Sequence, residues 1–457
     1  ARQVETGGSE EVVERKVAAA FAGDGIGELR LLTNRRGELL FTTLPCLLDA
    51  ARDTRLGLEA FEHAIRALLE GLQFLDRELG TGALDHDVAF VERLRRVCRA
   101  ARAALRGGRG AERGAFVLRF RRVSGPATAK GIEDTALYRY SPLLSLSEVG
   151  ADPGGDLRDA VGYLHDANIE RSIRWPRTML ATSTHETKRS ADVRSRLAVR
   201  SEIPEEWSRQ LAKWARVHRS LKVRVGDRFA PDANMEYAIY QTLVGIWPAG
   251  STPAREEIDS LRERVSAFAL KAAREAKGRT SWTDPNEDYE RALGAFIAQI
   301  VARPKFTAEL EQLVATIAPS AGWNTLARTL LHLTSPGFPD IYQGDEYWNF
   351  ALVDPDNRRA VRFEEGLSTA MSPVGDKLSL IRKALHARAT HAPLFASGSY
   401  HPIAAHGILG PRIFSFARRS APNAPDDAAI IVVPRLIHAL SPNAPPGGEL
   451  WGNTVLH

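Results

Sequence analysis

The segment RTMLATSTHETKRSADVRSRL (Arg177–Leu197) joins a strand pattern to a helix pattern through a polar loop. Its first part, RTMLATST, is rich in β-branched residues and has no helical period, which predicts a buried strand. Ser190 can cap the helix that follows, with Asp192 in its first turn. We therefore expect His185 and the residues after it to lie at the C-terminal end of a strand.

The same alternation recurs further along the chain. In SPGFPDIYQGDEYW, a short strand-like FPDIY precedes a glycine turn that carries Asp345 and Glu346. Helix, strand and acidic loop in alternation predict an α/β architecture, and in β/α barrels the chemistry lies on loops after the strands. About three such units are visible, too few to close a barrel. From Ser399 onward, short alternating runs between Pro- and Gly-rich loops predict a small antiparallel β-domain.

Composition excludes several classes of protein. With 457 residues, 44% of them hydrophobic, the chain can bury two or three packed units. The 61 Lys and Arg residues are interspersed with 56 Asp and Glu residues, which argues against a nucleic-acid partner. Cys46 and Cys98 form no CxxC pair, so neither a disulfide framework nor a zinc site is indicated. No apolar run is long enough for a membrane span, and we expect a soluble, cytoplasmic protein.

Polar residues cluster after three predicted strands, which favours a single polar cleft. Acids together with His, Arg and aromatic residues suit a neutral polyol, because ring hydroxyls need donors and acceptors while aromatic faces cover the apolar side. Trp282 and Trp348 can supply such faces. The clustered residues are Lys130, Glu133, Asp134, Tyr138 and Arg139; His185, Glu186, Lys188 and Arg189; and Asp345, Glu346, Asp354, Asp356, Asn357 and Arg358.

Each cluster also has a plainer interpretation. GIEDT fits the start of a helix, VDPDNRR an ordinary Asx turn with surface charges, and HETKRS a solvated loop. Trp282 fits a core position equally well, and lone histidines such as His332 are expected to be structural. The chain has no Gly-rich phosphate loop, HExxH or GxSxG, so neither a metal nor a cofactor is indicated.

Five long motifs in this order closely resemble those of the maltooligosyl trehalose synthases, a family of the α-amylase superfamily. The motifs are AKGIEDTALYRY (Ala129–Tyr140), LSLSEVGADP (Leu144–Pro153), ATSTHETKRSADVRSRL (Ala181–Leu197), KAAREAKGRTSWTDPNEDYE (Lys271–Glu290) and PGFPDIYQGDEYWNFALVDPDNRR (Pro336–Arg359). The resemblance implies an isomerase that carries out intramolecular transglycosylation of maltooligosaccharides. The reducing-end α-1,4 linkage becomes an α,α-1,1 linkage, through a glycosyl-enzyme and an oxocarbenium-like transition state.

The resemblance also implies roles for particular residues. His185 and Glu186 occupy the family's His-Asp position at the end of the seventh barrel strand, where the carboxylate stabilises the transition state. This chain has Glu where the family has Asp, and Ala191 replaces a usual acid. The other residues carried over as substrate-binding are Lys130, Glu133, Asp134, Tyr138, Lys188, Arg189, Trp282 and Asp345.

The family's nucleophile and acid/base carboxylates belong upstream of every matched motif, and nothing in residues 1–114 corresponds to them. The resemblance is therefore to the C-terminal portion of the enzyme, and the start without Met indicates a chain cut from something longer. We expect an N-terminal half to be required as a partner. The expected regions are a helical insertion (1–114), the last β/α units of a (β/α)8 barrel (115–365), a connecting helix (366–398) and the β-domain (399–457).

Two further functions stay open. The Glu at position 186 is also compatible with an α-amylase-type glucan hydrolase. A non-catalytic glucan-binding protein that keeps the cleft but lacks the chemistry is the third hypothesis.

Overall fold

The computed structural model describes residues 129–151, 153, 159–250, 252–361, 377–420, 427–441 and 446–457. The expected helical insertion and both cysteines lie outside these residues. The chain divides into two units, Ala1–Ala136 and Leu137–His457. Of the first unit, only a π-helical segment, Ala129–Ala136, is described.

The described part of the second unit is mainly helical and begins with a single helical turn, Leu137–Arg139. The helices are α1 (Ala160–Arg174), α2 (Ala191–Ala198), α3 (Pro204–His218), α4 (Ala233–Ile246), α5 (Arg255–Ala276), α6 (Glu287–Val301), α7 (Pro304–Thr334), α8 (Lys377–Thr390) and α9 (Ala392–Ala396). The strands are β1 (Met179–Ala181), β2 (Val223–Val225), β3 (Arg228–Ala230), β4 (Phe338–Asp340), β5 (Ser399–Pro402), β6 (Ala405–His406), β7 (Ile413–Arg419), β8 (Ala428–Pro434) and β9 (Val455–Leu456).

Side-chain caps fix where several helices begin. Ser190 caps α2 by accepting the Val193 N–H at 3.4 Å, which confirms the start predicted from the sequence. Asp232 accepts from Met235 N–H at 3.0 Å and caps α4 in the same way. These caps satisfy N–H groups that have no partner inside the helix.

Helices α2 to α7 enclose the largest hydrophobic core, and six of the eight residues of α2 are buried. Val193 and Leu197 on α2 have no solvent exposure, and they pack against the equally buried Leu243 on α4. Trp214 of α3 meets the Phe306 ring of α7 edge-on, with ring centroids 5.1 Å apart. Because α2 directly follows the predicted polar loop, its burial fixes the position of the loop's C-terminal end.

Strands β1 and β4 form a parallel pair in which Met179 lies beside Phe338 and Ala181 beside Asp340. The expectation of a buried strand at this position is wrong, since Met179 is 72% exposed and Phe338 48% exposed. Among the described residues the sheet has only these two strands. Their outward side chains therefore have no described layer over them.

A hydrogen bond from His332 connects α7 to this strand pair. The imidazole Nε2 lies 2.9 Å from the carbonyl oxygen of Leu180 in β1. Burial lowers the pKa of His332, and the hydrogen bond to Leu180 offsets this only in part. The ring is thus held neutral as a structural hydrogen-bond donor, as expected for this histidine.

The strands after Ser399 are antiparallel, as the alternating pattern predicts. β7 pairs with β5 on one side and with β8 on the other. Phe416 and Ile431 face each other across β7 and β8, and together with Tyr400 they pack against apolar residues of α1 and α7.

The contact between α4 and α2 requires a glycine. A Cβ on Gly245 would lie 2.8 Å from Cγ1 of Val193 and 3.5 Å from Cγ of Leu197, both of which are buried. Gly294 on α6 has no atom within 4 Å of the same position. Replacing each of the two helical glycines by Ala therefore distinguishes the effect of a methyl group on packing from its effect on helix propensity.

We predict that Gly245→Ala lowers the free energy of unfolding by about 1–3 kcal/mol, because the added methyl group overpacks the core. The matched change Gly294→Ala should raise it by about 0.5–1 kcal/mol through helix propensity alone. Urea unfolding followed by circular dichroism measures both. Equal stabilisation by the two substitutions would contradict the close packing of α2 against α4.

Candidate functional site

His185 and Glu186 lie on a tight turn that follows β1. Thr187 Oγ1 donates to the Thr184 carbonyl oxygen at 2.8 Å, and the Glu186 N–H donates to Thr184 Oγ1 at 3.2 Å. The two side chains are exposed, by 57% and 65%, and His185 Nε2 lies 3.2 Å from Glu186 Oε1. The turn therefore presents a carboxylate and an imidazole together toward solvent.

A buried carboxylate holds the residues immediately after this turn. Glu148 Oε1 accepts the Lys188 N–H at 2.9 Å, and its Oε2 accepts the Arg189 N–H at 3.1 Å. Oε1 also accepts the Val149 N–H at 2.9 Å, and Oε2 lies 3.8 Å from Arg194 Nε. One side chain thus fixes the backbone of the loop to the segment around Glu148.

The charged ends of Lys188 and Arg189 are buried beneath the loop. Lys188 Nζ lies 5.2 Å from the centroid of the Tyr138 ring, and Arg189 Cζ lies 5.0 Å from that of Phe268. Burial lowers the pKa of Arg189 to about 10, with a partial offset from Glu148. A fully solvated loop is therefore the wrong interpretation of HETKRS as a whole, although it describes His185 and Glu186.

Asp192, at the start of α2, is the centre of a buried ionic network. Its Oδ1 accepts from Arg328 Nη2 at 2.9 Å, while its Oδ2 accepts from Lys377 Nζ at 2.9 Å and from the Asn349 N–H at 2.8 Å. Burial acts to raise the pKa of Asp192, but the attraction of Lys377 and Arg328 outweighs it and the pKa is lowered. Asp192 stays ionised and joins α2, α7, α8 and the loop after β4.

One residue of the third cluster contacts the turn, and two others shape the neighbouring loop. Asn357 donates from Nδ2 to the carbonyl oxygen of His185 at 2.8 Å. Asp356 receives both Nε and Nη2 of Arg264 at 2.9 Å, and Asp345 accepts from Asn349 at 2.7 Å. Asp356 also accepts the Leu352 N–H at 2.7 Å, so its role in the structure is to shape the VDPDNRR loop.

The structure thus brings the second and third predicted clusters together. Ser190 connects them through the backbone, since its N–H donates to the Ala351 carbonyl oxygen at 2.9 Å. Arg189 and Leu352 form an isolated antiparallel bridge next to it. Polar side chains that are more than 160 positions apart in sequence therefore share one loop layer.

The members of the first cluster fall in both units. Lys130, Glu133 and Asp134 lie in the π-helical segment of the first unit. GIEDT is thus helical, but it is not the start of the helix, because the segment begins at Ala129 and has no acid in its first turn. Tyr138 lies in the second unit and packs under Lys188. The substrate-binding roles expected for these residues stay predictions.

Trp282 is 53% exposed, so the core interpretation is wrong. Its Nε1–H donates to Glu275 at 3.0 Å, and the Arg274 guanidinium lies 4.8 Å from its ring centroid. The cation covers one face of the indole. A sugar could stack only on the remaining exposed surface.

A small cavity lies beneath the loop layer, lined by residues that include Thr182, His332, Asp345 and Lys377. Its volume of about 20 Å³ is enough for a water molecule and far too small for a sugar ring. This cavity is therefore not itself a glucan site.

Within the described ranges, no group of three or more His, Cys, Asp or Glu residues is arranged to hold a metal ion. A helix with the length and apolarity needed to cross a membrane is likewise absent from this part of the chain.

Comparison with known proteins gives this geometry a context. The chain is 36% identical over 318 residues to a Mycobacterium tuberculosis protein assigned as a maltooligosyl trehalose synthase, a match that covers 70% of this chain and 39% of that one. The solved maltooligosyltrehalose synthase of Arthrobacter ramosus superposes with a TM-score of 0.60 at 31% identity. This chain is homologous to part of the maltooligosyl trehalose synthases. The resemblance found in the sequence motifs is confirmed.

The extent of each match differs between the synthases. The Arthrobacter ramosus structure covers 93% of this chain, which covers 57% of that enzyme. A Sulfolobus tokodaii structure, titled a hypothetical maltooligosyl trehalose synthase, matches with a TM-score of 0.55 and 25% identity, covering 78% of this chain and 49% of the other. The chain spans about two fifths of the length of the curated relatives that it matches. No protein-family model matches the chain.

Three residues of the loop support were missed in the sequence, namely Glu148, Arg328 and Lys377. Glu148 carried a signal, because it is an acid with Leu144, Leu146 and Val149 close by in LSLSEVGADP. An ionisable residue in such surroundings is either exposed or paired, and here it is paired. Arg328 and Lys377 carried no comparable signal, since their partner Asp192 is more than 130 positions away.

We predict that Asp192→Asn lowers the free energy of unfolding at pH 7 by about 3–5 kcal/mol, because Lys377 and Arg328 lose their buried counter-charge. The folded-state pKa of Asp192 lies below its unfolded value. Its ionisation therefore contributes stability above pH of about 4, and that contribution is lost as the pH falls through the folded-state pKa.

Urea unfolding at a series of pH values should thus show the gap between the two proteins closing as the solution becomes acidic. Asp288→Asn is the matched control, since its partner Arg291 lies at a similar 2.9 Å but both side chains are exposed. Asp288→Asn should leave stability nearly unchanged. A gap for Asp192→Asn that does not depend on pH would contradict the proposed ionisation.

Proposed function

We propose that this chain supplies the transition-state-stabilising side of a glucan mutase. The reaction converts the reducing-end α-1,4 linkage of a maltooligosaccharide to an α,α-1,1 linkage, which gives maltooligosyl trehalose. The observation that carries the proposal is the exposed His185–Glu186 pair at the exit of β1, held from below by buried polar contacts, in a homologue of the synthases.

The geometry of the pair suits an oxocarbenium-like transition state. As positive charge develops on the sugar ring, hydroxyl groups bound to a fixed carboxylate strengthen their hydrogen bonds. Glu186 is exposed and can accept such bonds, while the adjacent imidazole of His185 can bond to a second hydroxyl. Because the turn is fixed to Glu148 and Asn357, little reorganisation is required during the reaction.

We further propose that β1 and β4 are the last strands of a (β/α)8 barrel. Their parallel pairing and the exposed Met179 and Phe338 side chains support this arrangement. The nucleophile and the acid/base would come from a part of the synthase fold that lies outside the matched region. Water exclusion would then depend on the assembled cleft, which lets the released glucose turn and attack through its anomeric hydroxyl.

The Glu at position 186 also leaves two alternative functions open. Glu places its carboxylate about one methylene further out than Asp would, and a misplacement of about 1 Å can cost on the order of a hundredfold in rate. A cleft with this change could hydrolyse glucan, or bind it without turnover.

The central test is incubation of this chain with maltopentaose, alone and with the upstream region of a related synthase supplied in trans. We expect the reducing-end anomeric signal in the NMR spectrum to disappear only when the upstream region is present. Release of new reducing ends would identify a hydrolase instead. Absence of any turnover, together with calorimetric binding of maltopentaose, would identify a binding protein.

We predict that Glu186→Gln in the complemented protein lowers kcat by about a hundredfold or more, since a charged acceptor is lost from the transition state. The KM for maltopentaose should change by less than about tenfold, because the ground state carries no developed charge. Glu170→Gln is the control, an exposed acid on α1 paired with Arg174. An unchanged kcat for Glu186→Gln would exclude this residue as the stabilising carboxylate.

A further inference from the structure

Glu148 links two segments of backbone through a single buried carboxylate. We infer that it is the positioning residue for the His185–Glu186 turn, an inference that rests on the function proposed above. Its two oxygens accept consecutive amide groups of the loop, those of Lys188 and Arg189, at 2.9 and 3.1 Å. These amides follow Glu186 by two and three residues, so Glu148 holds the backbone immediately after the turn.

Two consecutive N–H groups directed at one carboxylate restrict both the position and the orientation of the peptide plane between them. The Val149 N–H bond to Oε1 at 2.9 Å in turn restricts the carboxylate itself. Asn357 holds the other side of the turn through the His185 carbonyl oxygen. Of these anchors, Glu148 is the one that fixes two loop amides at once.

The charge of Glu148 is needed as well as its shape. Arg194 Nε lies 3.8 Å from Oε2, and the same arginine donates from Nη2 to the carbonyl oxygen of Thr182 at the end of β1. The buried guanidinium of Arg189 is also stabilised by Glu148. Glu148 therefore connects the exit of β1, the turn and the start of α2 through hydrogen bonds and opposite charges.

Glutamine cannot reproduce this arrangement, although it has the same size. Its amide offers one oxygen acceptor, and its NH2 group would face one of the two loop N–H donors. At least one of the Lys188 and Arg189 bonds is then lost. Aspartate keeps the charge but shortens the reach by one methylene, so it cannot contact both segments in the same geometry.

A matched control exists elsewhere in the chain. Glu202 is also a buried carboxylate that accepts a backbone N–H, from His438 at 2.9 Å, and it also has an arginine, Arg412, at 3.8 Å. It holds the segment after β8 and makes no contact with the turn in the bonds described. Glu202→Gln therefore removes the same chemistry from a different loop.

The first experiment measures hydrogen exchange of the Lys188 and Arg189 amides, by NMR or by mass spectrometry of peptides that cover residues 182–196. We expect Glu148→Gln to speed their exchange at least tenfold, while Glu202→Gln leaves it unchanged and speeds exchange at His438. If Glu148→Gln does not fold, the exchange of the same two amides is measured in Glu148→Asp, which keeps the charge but has the shorter reach. Unchanged exchange in the folded variant would overturn the inference, whatever the activity.

The second experiment uses the complemented protein and maltopentaose. We expect Glu148→Gln to lower kcat about ten- to a hundredfold with KM within about threefold, and Glu148→Asp to restore part of the loss. A fall in activity that matches the control Glu202→Gln would overturn a positioning role. Should the unsubstituted protein form no product, the proposed function fails, while the exchange experiment still decides whether Glu148 holds the turn.

Discussion

The arrangement around the candidate site depends on the buried carboxylate of Asp192. It receives an arginine from α7, a lysine from the start of α8 and a backbone N–H from the loop after β4. Four segments distant in sequence thereby meet at the first turn of α2. A buried charge of this kind is costly unless its partners are in place, so the contact specifies one arrangement of these segments.

A second buried carboxylate, that of Glu148, holds a neighbouring segment in the same way. Asp192 fixes the beginning of α2, and Glu148 fixes the loop that leads into it. Arg194 lies between the two layers, since its Nε approaches Glu148 and its charge is influenced by both acids. The exposed His185–Glu186 pair is thus the outermost part of a stack of ionic and backbone contacts. The backbone of the turn is held by these contacts, which suits a site that must bind several hydroxyl groups in fixed positions.

Local features of the fold could be predicted from the sequence because local chemistry determines them. The cap at Ser190 and the position of β1 follow from residue types within a few positions of each other. The family could be inferred because its motifs are long and ordered. The exposure of Met179 could not be predicted, because the sequence pattern of an apolar strand is the same whether or not other elements pack over it.

The site itself was harder to predict for a related reason. Lys188 and Arg189 lie in a polar stretch that is equally compatible with a solvated loop. Their side chains are nevertheless buried against the rings of Tyr138 and Phe268, and Glu148, about 40 positions earlier, accepts their backbone N–H groups. Such pairing depends on long-range packing, which leaves no periodic pattern in the sequence. The environment of Asp356 in VDPDNRR could not be predicted for the same reason, since its ion pair with Arg264 spans 92 positions.

The turn carrying His185 and Glu186 is the proposed point of contact with the sugar. An NMR titration with maltopentaose, in the presence of the upstream region of a related synthase, measures this contact most directly. The ring signals of His185 should shift and saturate with added glucan, while those of His401, exposed on β5, should not move. Saturable binding that leaves the His185 signals unchanged would show that the sugar does not contact this turn.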